Sequence, residues 1–444
     1  MTEKMRPSGT GWIKDIPESW KTSKVKFLAT EPDTLFLDGD WIESDVIEET
    51  GIRYLTSGNV GAGFYKDQGS GHISEKTFRE LHCLKVFPGD LMISRLNEPI
   101  GRACIVPEGE PCYVVAVDNV ILRPNKEYDR KFIMYAMNTE GYAEHGNMIA
   151  RGATMSRVSR SQLGQFWLAF PGISEQRAIA DFLDSQCAKI DSVIADLEKQ
   201  IETLQKYKRS LITEAVTKGL DRSAPIQHSG IDWIGTIPAH WSIKKIKYVA
   251  SKIGSGKTPK GGAEVYEDEG ITFIRSQNVY DDGLHLEDVK YISESIDAEM
   301  HTTRLLFGDV LFNITGASIG RCCIYSLQDK GNVNQHVCII RTNEKCYNEY
   351  LRYVLNSDIG KVQTAINQMG GNRDSLTFEQ IGLFVFPLPP RHEQVEIANV
   401  LRDKCKHVEA VINEKKKELA TIHQYKQSLT YEYVTGKKRV TEVN

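Results

Sequence analysis

The sequence lacks an excess of positive charge. Its 55 Lys and Arg are set against 59 Asp and Glu, for a formal net charge of -4. That excludes a chain that coats nucleic acid through a global positive field, and it leaves room for a local basic groove. Paired cysteines are missing too. The nine cysteines are Cys83, Cys104, Cys112, Cys187, Cys322, Cys323, Cys338, Cys346 and Cys405, and none falls in a C-x-x-C pair. Zinc sites use such local pairs to bring two ligands to one ion. An odd, scattered set reads as buried free thiols of a reducing compartment, with no metal. No apolar run approaches a membrane span. The first residues carry no apolar core of a secretory signal, so a cytoplasmic protein is expected.

Catalytic signatures are absent as well. Gly254-Ser255-Gly256-Lys257-Thr258 resembles the end of a phosphate-binding loop, but Ser251 stands where that motif needs its first glycine. There is no H-E-x-x-H. The one Pro-Pro, Pro389-Pro390, is followed by Arg391 rather than by the aromatic residue that an adenine methyltransferase uses. No nucleophile or acid–base pair stands out. The chain is expected to perform no chemistry itself and to bind no cofactor.

What the sequence does have is an internal repeat, the first feature to seek in a chain of 444 residues. Ile16-Pro17-Glu18-Ser19-Trp20 returns as Ile237-Pro238-Ala239-His240-Trp241. Ser57-Gly58-Asn59-Val60 returns as Ser276-Gln277-Asn278-Val279, Gly89-Asp90 as Gly308-Asp309, and Ile100-Gly101-Arg102 as Ile319-Gly320-Arg321. Residues 173–217 and 391–435 align without a gap, with 17 of 45 positions identical, including Glu175-Gln176 and Glu393-Gln394. The offset stays near 218, so the halves share one fold and differ in loops. The expected layout is a globular part at 1–172, a long helix at 173–218, a linker at 219–232, a second globular part at 233–390, and a second long helix with its tail at 391–444.

The helical stretches carry a heptad seam. In the first it runs Leu183, Cys187, Ile190, Ile194, Leu197, Ile201, Leu204, Lys208, Leu211, Ala215. In the second it runs Leu401, Cys405, Val408, Ile412, Lys415, Leu419, Ile422, Lys426, Leu429, Tyr433. Lysine breaks both seams at the same point, Lys208 and Lys426, and Lys415 is an extra defect. Two such helices in one chain are expected to pair as an antiparallel intramolecular coiled coil, the arrangement in which their length acts as a spacer. The stretch from Lys404 to Arg439 is basic, which suits a solvated face, phosphate contact or partner docking.

The globular parts read as mixed α/β, with period-two strands, one or two short helices, and twisted, largely antiparallel sheets. Polar loops fall at equivalent places in both copies. From them come the candidate DNA contacts: Thr56, Ser57, Asn59, Arg95, Asn97, Arg151, Thr154 and Arg157 in the first copy. In the second they are Lys257, Thr258, Arg275, Gln277, Asn278, Asn313, Thr315, Asn372 and Arg373. Arginine pairs with guanine and Asn or Gln with adenine on major-groove edges, and small polar residues suit phosphates. Ordinary turn chemistry uses the same residues. The paired placement is what points to two readers.

The chain resembles the specificity subunit of type I restriction–modification enzymes along nearly its whole length. The resemblance lies in the two Ile-Pro-x-x-Trp openings, the Gly-Asp and Ile-Gly-Arg pairs, the Glu-Gln at the start of each long helix, and Val434-Thr435-Gly436-Lys437. Gly256-Lys257-Thr258-Pro259 is similar to a Gly-x-Thr-Pro found early in many target-recognition domains. The first copy has Asp38-Gly39-Asp40-Trp41-Ile42-Glu43-Ser44 instead. The resemblance implies two tandem target-recognition domains, each reading one half of a split, asymmetric double-stranded DNA site. It implies helices that set the unread gap and dock two modification subunits, which methylate adenine with S-adenosylmethionine. Restriction subunits, using ATP and Mg, would translocate and cleave.

Overall fold

The computed structural model describes residues 4–150, 156–368 and 375–440. The chain divides into two units, 1–197 with 417–444, and 198–416. Each division falls inside a long helix, so each unit holds one globular part and a piece of both helices.

In the first unit a four-stranded antiparallel sheet has the order 35–38, 119–123, 91–94, 103–105. In the second unit the order is 250–255, 337–342, 310–313, 322–324, again antiparallel. Beside each lies a three-stranded sheet, built on 52–55 and on 271–274, and each contains one parallel pair. The sheets are largely antiparallel, as the sequence suggests. The central strands depart from simple alternation, because both faces are covered. Leu91, Ile93, Val120 and Leu122 enter one core, and Met92, Cys104 and Ile121 enter another. In the second unit Val310, Phe312 and Ile340 face one core, and Leu311, Cys323 and Ile339 the other. A strand buried on both faces reads as a continuous apolar run.

The long helices are Ile173–Lys218, 46 residues, and Arg391–Val434, 44 residues. At 1.5 Å per residue each is about 65–70 Å long. They pair antiparallel in both units. In the first unit Asp191 meets Lys426 at 2.5 Å and Phe182 packs on Tyr433. In the second unit Lys208 pairs with Glu409. The two seam lysines are thus matched to carboxylates on the facing helix, at positions 218 residues apart.

The repeated motifs are the joints of this frame. Gln176 and Gln394 are each 1% exposed. Gln176 accepts from Asp129 N and donates to the carbonyls of Glu127 and Pro171. Gln394 does the same with Tyr347, Lys345 and Pro389. Asp90 and Asp309, both 1% exposed, take two-pronged pairs from Arg123 and Arg341 at 2.6–2.9 Å. The Ile-Pro-x-x-Trp segments receive the helix ends. Gly219 packs on Trp241, and Gly436, at the end of the second helix, packs on Pro17 and Trp20 of the first half. Both glycines have φ near +70°, which ends a helix without a side-chain penalty.

Candidate nucleic-acid interface

Loops converge at one end of each four-stranded sheet, on one backbone plan. In the first unit Arg95 N donates to Asp118 O, and Val158 N to Arg95 O. In the second unit Ile314 N donates to His336 O, and Leu376 N to Ile314 O. The segment after the edge strand also arrives there in both. A side chain on Gly39 would lie 2.2 Å from Val115 O, and one on Gly256 1.6 Å from Val333 O. Only glycine permits those approaches. The Asp38-Gly39 and Gly256-Lys257 segments, dissimilar in sequence, therefore occupy equivalent places.

The side chains on this shared plan differ. The first copy presents Arg157 paired with Asp118 at 3.2 Å, Arg160 paired with Asp38 at 3.1 Å, and Trp41, 73% exposed. In the second copy the His336 ring lies between Thr315 Oγ1 at 2.7 Å and Gln335 Nε2 at 2.9 Å, and Lys257 and Thr258 are exposed. One sheet end is a cluster of opposed charges. The other is a hydrogen-bonding cluster of Thr315, Gln335 and His336 beside a lysine.

A model of the type I restriction modification DNA specificity domain matches residues 238–421. A chain of Methanocaldococcus jannaschii assigned as the MjaX type I restriction enzyme specificity subunit is 26% identical over 384 residues, covering 83% of each chain. The EcoBI specificity subunit of Escherichia coli is 25% identical over 312 residues, 68% of this chain and 64% of that one. The fold matches a solved chain from work on complex assembly and conformational transition of the type I R-M system. Its TM-score is 0.67, with 16% identity, over 95% of this chain and 99% of that one. The chain is thus similar over most of its length to type I restriction enzyme specificity subunits.

The sequence-derived candidates fall into two groups. Four are framework residues, which corrects the expectation that they reach bases. Asn59 and Asn278 are 2% and 1% exposed. Asn59 donates to Lys66 O and Gln68 O and accepts from Thr56 N. Asn278 donates to His285 O and accepts from Arg275 N. Asn313 is fully buried and donates to Ser276 O. Arg95, 5% exposed, donates to the Val158 and Val117 carbonyls and pairs with Asp38. Burial pulls its guanidinium pKa down, and Asp38 opposes that.

The others lie at the surface or near it. Thr56 and Asn97 are exposed and Ser57 is half-buried. Asn97 has φ +59° and its carbonyl accepts from Arg102. Arg102 also donates to Ser57 O and Val60 O, so it fastens the 56–59 loop to the 95–97 loop. Arg275 and Gln277 both donate to Asp288, at 2.5–3.1 Å. Arg151, Thr154, Asn372 and Arg373 lie outside the described residues. Asp118, Gln335, His336 and Trp41 were not singled out. The signal for the first three was their place just before the repeated strands 119–123 and 337–342. Among the described residues no three His, Cys, Asp or Glu converge as metal ligands. No described helix is long and apolar enough to cross a membrane.

Proposed function

We propose that each sheet end reads one half of a bipartite, asymmetric duplex DNA site, and that the paired helices set the unread gap. The observation that carries this reading is the pair of equivalent loop clusters, alike in backbone plan and unlike in side chains. One framework with two chemistries suits two different half-sites. In the first copy Thr56, Ser57, Asn97, Trp41 and the Arg157–Asp118 pair are the contact candidates. In the second they are Lys257, Thr258, Arg275, Gln277, Thr315, Gln335 and His336.

The helices also offer a surface for two identical partners. Val193 and Val411, 218 residues apart, are 45% and 42% exposed, and Tyr207 and Tyr425 are 56% and 57% exposed. Each unit thus displays one valine and one tyrosine on its helices at matching positions. We assign these patches to two modification subunits that bring S-adenosylmethionine and methylate adenine. Restriction subunits with ATP and Mg would join the same cytoplasmic complex. Base extrusion and chemistry belong to those partners.

The test is selection of the chain, co-purified with its modification subunits, against random duplex pools. Two dissimilar half-sites at a fixed spacing are expected. Enrichment of a single contiguous motif, or of a palindrome, sinks the reading.

A further inference from the structure

The second unit holds an open cavity of about 610 Å³ between its long-helix segments and its globular part. Its acids are all engaged. Asp281 pairs with Lys361 and Asp282 with His285, both at 3.1 Å, and Glu409 pairs with Lys208. Among the cations, Arg209 and Arg402 pair with Asp358 and Glu349. Arg321, Arg352, Lys406 and Lys416 also line the cavity, and no ion pair forms at them among the described residues. Arg321 lies over Tyr280 at 4.5 Å, and His285 stacks on that ring at 4.0 Å. Tyr280 is thus already in contact with Arg321 and His285, and the cations without ion pairs make the cavity suit an anion.

The first copy is an internal control. Met134, Ala188 and Glu198 stand where the second copy has Arg352, Lys406 and Lys416. Arg102, the counterpart of Arg321, spends its guanidinium on backbone carbonyls. The shared fold therefore does not need these cations. Their position in the chain indicates the anion. Tyr280 lines the cavity two residues after Asn278, and Arg321 three residues after Ser318. Each thus follows a loop at the reading end of the second sheet. A major groove is roughly 12 Å wide, so its phosphate walls lie about 6 Å to either side of a seated loop. Two residues of chain span that distance.

We infer that this cavity holds backbone phosphates of one DNA strand beside the second half-site, with Arg321, Arg352, Lys406 and Lys416 as the contacts. The specificity subunit then grips DNA asymmetrically, more electrostatically at the second half-site than at the first. This rests on the DNA reading above. The test is Arg352→Met with Lys406→Ala, which installs the residues the first copy carries at those places. Binding of the enriched duplex by the complex is measured between 50 and 200 mM salt. Each lost phosphate contact lowers the salt slope by about 0.9. The double variant is expected to flatten the slope by about 1.8, so that its affinity falls about tenfold less over that range, with both half-sites unchanged. Lys406→Arg keeps the wild-type slope.

An unchanged slope in the double variant, beside specific wild-type binding, overturns this inference and leaves the DNA reading standing. Wild-type chain that enriches no duplex overturns the DNA reading itself. Loss of modification subunits with an unchanged slope assigns the cavity to a protein partner and refutes the phosphate site. Binding of inorganic triphosphate that the double variant abolishes, with the DNA slope unchanged, refutes it in favour of a free phosphate.

Discussion

Replacing Gln394 by alanine tests whether the repeated Glu-Gln pairs are joints of the frame. The amide makes three hydrogen bonds of 2.7–3.0 Å that tie the start of the second long helix to the 345–347 loop. Alanine leaves Pro389 O buried without this donor, and deprives Lys345 O of its donor and Tyr347 N of its acceptor. An unsatisfied buried group costs about 1–3 kcal/mol, and the partly exposed groups recover some hydration. The sum is about 2–4 kcal/mol. For a unit of 150–250 residues, 1 kcal/mol corresponds to about 2–4 °C, so the thermal midpoint should fall roughly 5–15 °C. Gln176→Ala removes the same three bonds in the other unit and should cost the same. The two sites share no partner, so the double variant should show the sum of the single losses in denaturation free energy. Calorimetry and denaturant titration of the three variants measure this. A loss below about 1 kcal/mol in either single variant refutes the joint, and so does strong non-additivity.

Four residues inserted near Glu198–Gln200 add about 6 Å of helix, which lengthens the recognised gap by one or two base pairs with both half-sites intact; methylation sequencing that shows an altered half-site counts against the spacer. Exchange of residues 21–150 for the corresponding segment of another specificity subunit should change one half-site, and a change in both refutes independent readers. Tyr207→Ala and Tyr425→Ala should each weaken one of two modification subunits, giving complexes with a single copy by native mass spectrometry; retention of both copies in both variants removes the tyrosines from the interface. Eight of the nine cysteines are buried, and burial pushes the Cys104, Cys323, Cys338 and Cys346 thiols up to about 12. Since the thiolate is the reactive form, a thiol reagent at pH 8 should label only Cys112 before unfolding, and rapid labelling of several thiols contradicts this core.

The repeat was legible because the residues that hold the frame recur with it. Gly-Asp, Ile-Gly-Arg and Glu-Gln are short and stand 218 or 219 residues apart; the Asp and the Gln make the same side-chain bonds in both units, and Ile-Gly-Arg the same backbone bonds. The seam lysines were legible as defects, but their cause lies on the facing helix at Asp191 and Glu409, which periodicity within one helix does not reveal. The site was less legible. Asn59, Asn278, Asn313 and Arg95 have the chemistry of base readers, yet they close turns and fill the ends of strands. Residue type cannot separate an amide that caps a loop from one that reaches outward, because the two uses need the same donors and acceptors. Asp118 and His336 went unmarked because they are unlike each other, and a search for matching polar loops passes over the positions where the copies diverge.

That divergence is the functional content of the duplication. A chain built from two like halves tends towards a twofold-symmetric site, and an asymmetric site requires the symmetry to be broken where bases are met and nowhere else. The structure separates the two demands. The joints are repeated: Gln176 with Gln394, Asp90–Arg123 with Asp309–Arg341, and Gly219 on Trp241 with Gly436 on Trp20. At the sheet ends the backbone bonds repeat and the side chains do not. Gly39 and Gly256 mark the boundary. Each is held by a carbonyl that admits no Cβ, and the residues that follow differ, Asp40 and Trp41 in one and Lys257 and Thr258 in the other. Substituting either glycine should unsettle its own sheet end. Substituting the residues just after it should change what is read and leave the fold intact.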